Sequence, residues 1–129
     1  MSSLLFAALV ALTNDFGCVQ ADTVGALVTS YVPAGGHEVF FLQSEARDVK
    51  GWYNGGVPVV WPWFNQNGEA GSATHGFVRQ MKWTVLEKYE DAKMSRLVLG
   101  LESSDETRRL WPYDFRLRYT VTLGDQLQV

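Results

Sequence analysis

An antiparallel β-sandwich is the fold class this sequence predicts. Three features predict it: stretches in which apolar and polar residues alternate, many aromatic and β-branched residues, and Gly/Pro clusters that punctuate the alternating stretches. Phe115 to Leu123 is the clearest stretch. Phe115, Leu117, Tyr119, Val121 and Leu123 alternate with Arg116, Arg118, Thr120 and Thr122, so one face is buried and the other wetted.

Taken in order, the chain begins ambiguously. Leu4 to Leu12 is an apolar run whose Ala and Leu content suits a helix as well as a strand. It also permits a secretory reading, with Val19-Gln20-Ala21 as the cleavage site, although no Lys or Arg precedes the run as such a leader requires. The run is too short to span a bilayer. Residues 1–18 are therefore set apart as a segment of open structure, and 19–129 are read as one domain. Ala26 to Val32 and Val39 to Leu42 are strand candidates separated by the turn Pro33-Ala34-Gly35-Gly36. Asn54-Gly55-Gly56 marks another reversal, and Val57 to Val60 reads as a buried strand leading into Trp61-Pro62-Trp63-Phe64. Trp83 to Leu86 and Ser95 to Leu101 follow as strands, the latter with Leu97, Leu99 and Leu101 on one side. Ser103 to Leu110 reads as a short helical turn, with Ser103 and Glu106 as a capping box and Pro112 as its end. Gln126 to Val129 starts a further alternation at the terminus, which reads as the front part of a longer sandwich with an unpaired edge through which the chain can self-associate.

Composition excludes several function classes. Eleven Lys and Arg against fourteen Asp and Glu, scattered along the chain, form no basic stripe for nucleic acid. A single cysteine, Cys18, leaves no internal disulfide and too few thiolates for a zinc site, which suits a reducing cytoplasm. No membrane association is expected.

Two segments can carry chemistry. The aromatic loop Trp61 to Phe64 can wall a sugar site, because aromatic faces pack on the C–H face of a pyranose; taken by itself the segment favours the plainer reading, in which Trp61 and Phe64 fill the core. In Thr74-His75-Gly76-Phe77-Val78-Arg79, Gly76 lets a ligand approach the backbone and Arg79 offers a guanidinium fork for a phosphate dianion. A lone His is more often a satisfied structural residue than a catalytic one, and Arg79 alone reads as a surface cation.

Taken together, Gly55-Gly56-Val57-Pro58, Trp61-Pro62-Trp63-Phe64, His75-Gly76-Phe77-Val78-Arg79, Trp83 and Trp111-Pro112-Tyr113-Asp114-Phe115 resemble the glucose-6-phosphate 1-epimerase branch of the aldose 1-epimerase family, the hexose-6-phosphate mutarotases. Gly25-Ala26 and Glu38 to Ala46 resemble its opening strands, so the likeness runs from about Val19 to Val129.

That resemblance implies a galactose mutarotase-like supersandwich, here truncated, and a cofactor-free isomerase acting on glucose 6-phosphate. Mutarotation needs a base for the anomeric hydroxyl and an acid for the ring oxygen. The family's His and Glu for those roles match nothing in this chain, so the catalytic pair is expected beyond residue 129. Substrate binding is expected from Arg79, which matches the family's phosphate-contacting Arg, and from His75, Thr74 and Asn54. Asn54 stands where the family has a second phosphate-binding Arg, and loss of such a charge-assisted contact costs about 1.5 to 3 kcal/mol. The tryptophan loop and Arg79 are expected to share one pocket at the mouth of the sandwich.

Overall fold

The computed structural model describes residues 8–42, 55–69 and 72–129. Two antiparallel sheets enclose one core. The first contains β1 (Leu9–Asn14), β2 (Gly17–Asp22) and β3 (Leu27–Pro33) in sequence order. The second contains β4 (Thr84–Glu90), β5 (Ser95–Glu102), β6 (Arg116–Leu123) and β7 (Leu127–Gln128), also in order. A short helix, α1 (Asp105–Leu110), joins β5 to β6.

From Leu9 onward the open question at the N-terminus resolves as strand, while Leu4 to Ala7 lie outside the described residues. Leu9 to Asn14 pairs with Gly17 to Asp22 across a tight turn, and Leu12 is fully buried. The stretch that could pass for a cleavage site lies inside β2, where Val19 and Ala21 are core residues. Tertiary burial outweighs the helical leaning of the Ala and Leu residues here.

Leu12, Val19 and Val28 from the first sheet meet Leu97, Leu99, Val121 and Leu123 from the second, with Phe77, Val78 and Trp83 between them. The alternation of β6 is realised as expected: Val121 and Leu123 lie inside while Arg116, Arg118 and Thr120 face outward. β5 departs from a one-sided pattern, because Val98 is as buried as its neighbours Leu97 and Leu99. It is the central strand of its pairing set, and Leu86, at a register shift in β4, lies over Gly100 on its other face. Polar ties join the sheets at one end. Asn14 Nδ2 donates to Ser95 Oγ at 3.0 Å and to the Leu123 carbonyl at 2.8 Å, which satisfies the buried Ser95.

Several sequence expectations are corrected. Val39 to Leu42 forms no strand among the described residues: Leu42 bridges Gly55, and the Val39 N–H donates to the Tyr31 carbonyl at 2.9 Å. Its anchor is Glu38, whose carboxylate accepts from the Ser30 hydroxyl, from the Tyr31 N–H at 2.9 Å and from the Phe40 N–H at 3.1 Å. Desolvation pushes the Glu38 carboxyl up, and these hydrogen bonds outweigh it, leaving the group below its ordinary value. Val57 to Val60 likewise forms no strand and touches β3 through a single bridge, Val57 to Val28. Ala26 belongs to the turn before β3, at φ 51°. The helix cap sits one residue later than expected: Ser104 Oγ accepts from Thr107 N at 3.2 Å, and Thr107 Oγ1 accepts from Ser104 N at 2.8 Å. Thr107 takes the place foreseen for Glu106 because its hydroxyl can satisfy both the cap N–H and the buried interior. Of the last two strands, β6 is paired on both sides, and β7, with β4 at the other end, forms an edge of that sheet among the described residues.

Candidate functional site

The connector between the sheets carries the candidate site, and its shape begins with close backbone contacts. Gly25, at φ 82°, lies so near the Val78–Gln80 3₁₀ turn that a Cβ there would come within 2.6 Å of the Arg79 carbonyl oxygen. The Gly25 N–H donates to the Met81 carbonyl at 2.8 Å and Trp83 N–H to Thr23 at 2.7 Å, so the segment carrying Arg79 is fastened to the end of the first sheet. Trp83 adds a bond from Nε1 to the Val78 carbonyl at 3.1 Å.

The aromatic loop divides its roles. Trp61 is a core plug, its ring 4.5 Å from Phe115, 4.9 Å from Trp111 and 6.2 Å from Phe77. Trp63 packs edge-on to Phe77 and donates its indole N–H to the Ala73 carbonyl at 2.8 Å. Phe64, in contrast, is 77% exposed and does not fill the sandwich. Its one ring contact among the described residues is His75, at 4.8 Å.

The Thr74-to-Arg79 turn is docked on this loop. Gly76, at φ 72°, bridges to Trp61, and a Cβ there would lie 1.8 Å from the Trp61 carbonyl oxygen, so no larger residue fits without moving the backbone. Phe77 N–H donates to that same oxygen at 3.1 Å. His75 precedes it at φ 64° and forms two bonds with Asn65: its N–H to the Asn65 carbonyl, and the Asn65 N–H to its Nδ1, each 2.8 Å.

Of the residues expected to bind substrate, three are brought together. Arg79 Nη2 donates to the Thr74 carbonyl at 2.9 Å, placing the guanidinium beside the turn that holds His75. Thr74 contributes through this main-chain oxygen. Asn54 lies outside the described residues. Beside the turn, a cleft of about 200 Å³ is lined by Trp63, Asn67, Ser72, Phe77 and Arg109 among others. Sequence reasoning missed Asn65, which at φ 61° uses the tolerance of Asn for left-handed backbone to face His75. An Asn directly after an aromatic run and shortly before a Gly was the available signal.

Asp114, within the Trp-Pro-Tyr-Asp-Phe motif, is occupied structurally. Arg108 Nε reaches it at 2.7 Å, and this hydrogen bond holds the Asp114 carboxyl below its ordinary value while tying α1 to the approach of β6. Among the described residues, no group of three or more His, Cys, Asp or Glu gathers as a metal site, and no helix is long and apolar enough to cross a membrane.

With this geometry established, comparison with known proteins becomes specific. The family model described as aldose 1-epimerase matches residues 8–129. A provisionally named glucose-6-phosphate 1-epimerase of Escherichia coli strain K12 is 38% identical over 106 residues, covering 81% of this chain and 36% of that protein. The protein of the same name from Salmonella typhimurium is 35% identical over 106 residues, with the same shares of the two chains, 81% and 36%. Among solved structures, a provisionally named mutarotase of Salmonella typhimurium superposes with a TM-score of 0.84 at 32% identity, covering 95% of this chain and 42% of that one. A galactose mutarotase related enzyme of Lactobacillus acidophilus, at 20% identity and a TM-score of 0.70, shares the fold, covering 92% of this chain and 40% of its own. The chain spans little more than a third of the length of the curated relatives it matches, 36% in both bacterial cases.

Proposed function

The chain belongs to the aldose 1-epimerase family, and from that premise we propose that in its full-length form it interconverts the α and β anomers of a hexose 6-phosphate, glucose 6-phosphate first. The observation that carries this reading is the placement of Arg79 and His75 on one turn, fastened to the tryptophan loop. A guanidinium supplies a fixed fork for a phosphate dianion, and a neighbouring imidazole hydrogen-bonds a sugar oxygen. The reaction itself opens the hemiacetal by removing the anomeric proton and protonating the ring oxygen, then recloses it on the other face. Residues 19–129 contribute binding surface in this account, as the front of a single sandwich domain. The acid and base come from the part of the fold that this chain does not match, and no cofactor takes part. A cytoplasmic location fits a phosphorylated sugar and the free thiol of Cys18.

Two measurements test this proposal. Exchange NMR on glucose 6-phosphate is expected to show no acceleration of anomer interconversion by the 129-residue chain, whereas acceleration would mean that an acid and base lie within it. Titration with glucose 6-phosphate is expected to show binding that Arg79→Ala weakens about tenfold or more; an unchanged affinity would remove Arg79 from the site. A second reading, an inactive carbohydrate-binding or interaction fragment, draws on the absence of residues matching the family's acid and base. It predicts that supplying the remaining portion of the family fold restores no activity.

A further inference from the structure

We infer that the backbone of Asn65 holds His75 in the form with its proton on Nε2, making it a hydrogen-bond donor to a sugar oxygen beside Phe64 and not a proton-accepting base. The ligand's identity rests on the function proposed above; the state of the imidazole does not.

The argument starts from a group whose role is unambiguous. A backbone N–H can only donate, and that of Asn65 points at His75 Nδ1 from 2.8 Å. Nδ1 must therefore present its lone pair. A ring turned over would put a C–H where the N–H needs an acceptor, so the arrangement also selects the ring orientation. In a neutral imidazole with Nδ1 accepting, the single proton resides on Nε2. The ring then has no lone pair left over: one is engaged by Asn65, and the other nitrogen carries hydrogen. Taking a proton from a substrate hydroxyl would require breaking the Asn65 contact.

The lock is built into the chain path. Asn65 and His75 both have left-handed backbone, at φ 61° and 64°, and a second bond from His75 N–H to the Asn65 carbonyl, 2.8 Å, closes the pair into a ring. Gly76, pressed against Trp61, fixes the next residue, so His75 cannot readily swing away. What faces the imidazole is equally informative. Phe64 lies 4.8 Å from its ring and is 77% exposed. An open aromatic face beside an N–H donor suits a pyranose, which offers an apolar C–H face bordered by acceptor oxygens. Phe64 is thereby assigned as a sugar-stacking residue and Asn65 as the positioning residue for His75.

Long-range proton–nitrogen correlation NMR on the chain at about pH 8, where an ordinary imidazole is neutral, reads the tautomer directly. The expected result is a protonated Nε2 and an unprotonated, hydrogen-bonded Nδ1; a proton on Nδ1 overturns the lock, even if glucose 6-phosphate still binds. Asn65→Gly, which tolerates the same backbone, is expected to retain the tautomer, and Asn65→Val, which does not, to lose it. Titration with glucose 6-phosphate completes the test. Phe64→Ala and Asn65→Val are each expected to weaken binding about threefold to tenfold, with Asn65→Gly close to the parent. Should the tautomer be as expected while glucose 6-phosphate shifts neither the Phe64 nor the His75 resonances, the recognition role falls together with the proposed ligand, and the lock stands.

Discussion

The sheet β4–β7 and the connector from Gly55 to Met81 are held by different physics. In the sheet, ladder bonds repeat from residue to residue, and side chains such as Leu97, Leu99, Val121 and Leu123 are buried by the regular pleat. The connector has almost no ladder. It is shaped by positive-φ residues, by a Gly backbone pressed on a carbonyl, and by single bonds such as Trp63 to Ala73 and Asn65 to His75. A pleated sheet distributes its stability over many equivalent contacts, whereas a connector of this kind places a few side chains accurately and depends on each point of contact. Substitutions in the first region should therefore move global stability and spare the site's shape. Those in the second should do the reverse.

Leu99→Ala is the largest expected effect. Leu99 is fully buried at the centre of β5, between β4 and β6. Removing its side chain costs about 2 to 5 kcal/mol through lost transfer energy and the cavity left behind. Urea denaturation should show a lower midpoint with an unchanged slope, while the near-ultraviolet signal of the tryptophan loop, recorded below the transition, stays as in the parent. A variant that disturbs that signal while still folded would erase the distinction between the two regions.

Gly76→Ala inverts the pattern. The new Cβ would meet the Trp61 carbonyl oxygen at 1.8 Å and sit on backbone at φ 72°, so the loop must shift or strain. Once the loop yields to the clash, strained backbone of this kind costs about 1 to 3 kcal/mol, a range centred below that of the Leu99 cavity. The expected outcome is a modest loss in denaturation midpoint together with loss of the Asn65 to His75 geometry, read as displaced His75 resonances. A small stability loss with His75 unmoved would show that the connector is more yielding than its contacts indicate.

The same contrast explains what the sequence made legible. β6 was readable because its alternation is dictated by burial of one face, and β5 because Leu97 and Leu99 carry the same pattern. β1 and β2 were not, since Ala, Gly, Cys and Asn dilute the apolar period and only pairing across the turn at Asp15 and Phe16 makes them strands. Val39 to Leu42 and Val57 to Val60 have strand-like composition but, among the described residues, pair only through isolated bridges and single bonds; composition records β preference, and register is a tertiary property. Of the residues the motifs single out, Thr74, His75 and Arg79 lie on one turn, joined by the bond from Arg79 to the Thr74 carbonyl. Asn65 escaped because its part is played by main-chain atoms, which a side-chain motif does not encode.

The smallest effect is confined to the sheet and appears only in alkali. Tyr119 on β6 is partly buried against Trp83, and burial pushes its hydroxyl up to about 12. An unfolded tyrosine ionises near pH 10. Below that, both states hold the proton and the contribution to stability is complete. Between about pH 10 and 12 the unfolded chain releases its proton while the folded one retains it, so stability falls as pH rises through that window. Tyr89 shifts in the same direction through its hydrogen bond to Asp91, so the Tyr119 share has to be isolated by difference. Denaturation midpoints followed across the window should fall less steeply in Tyr119→Phe than in the parent. The connector contains no tyrosine between Gly55 and Met81, so the tryptophan-loop signal should report this decline only when the whole fold is lost. A loop transition that precedes global unfolding in the same window would assign the alkaline sensitivity to the connector and reverse the comparison.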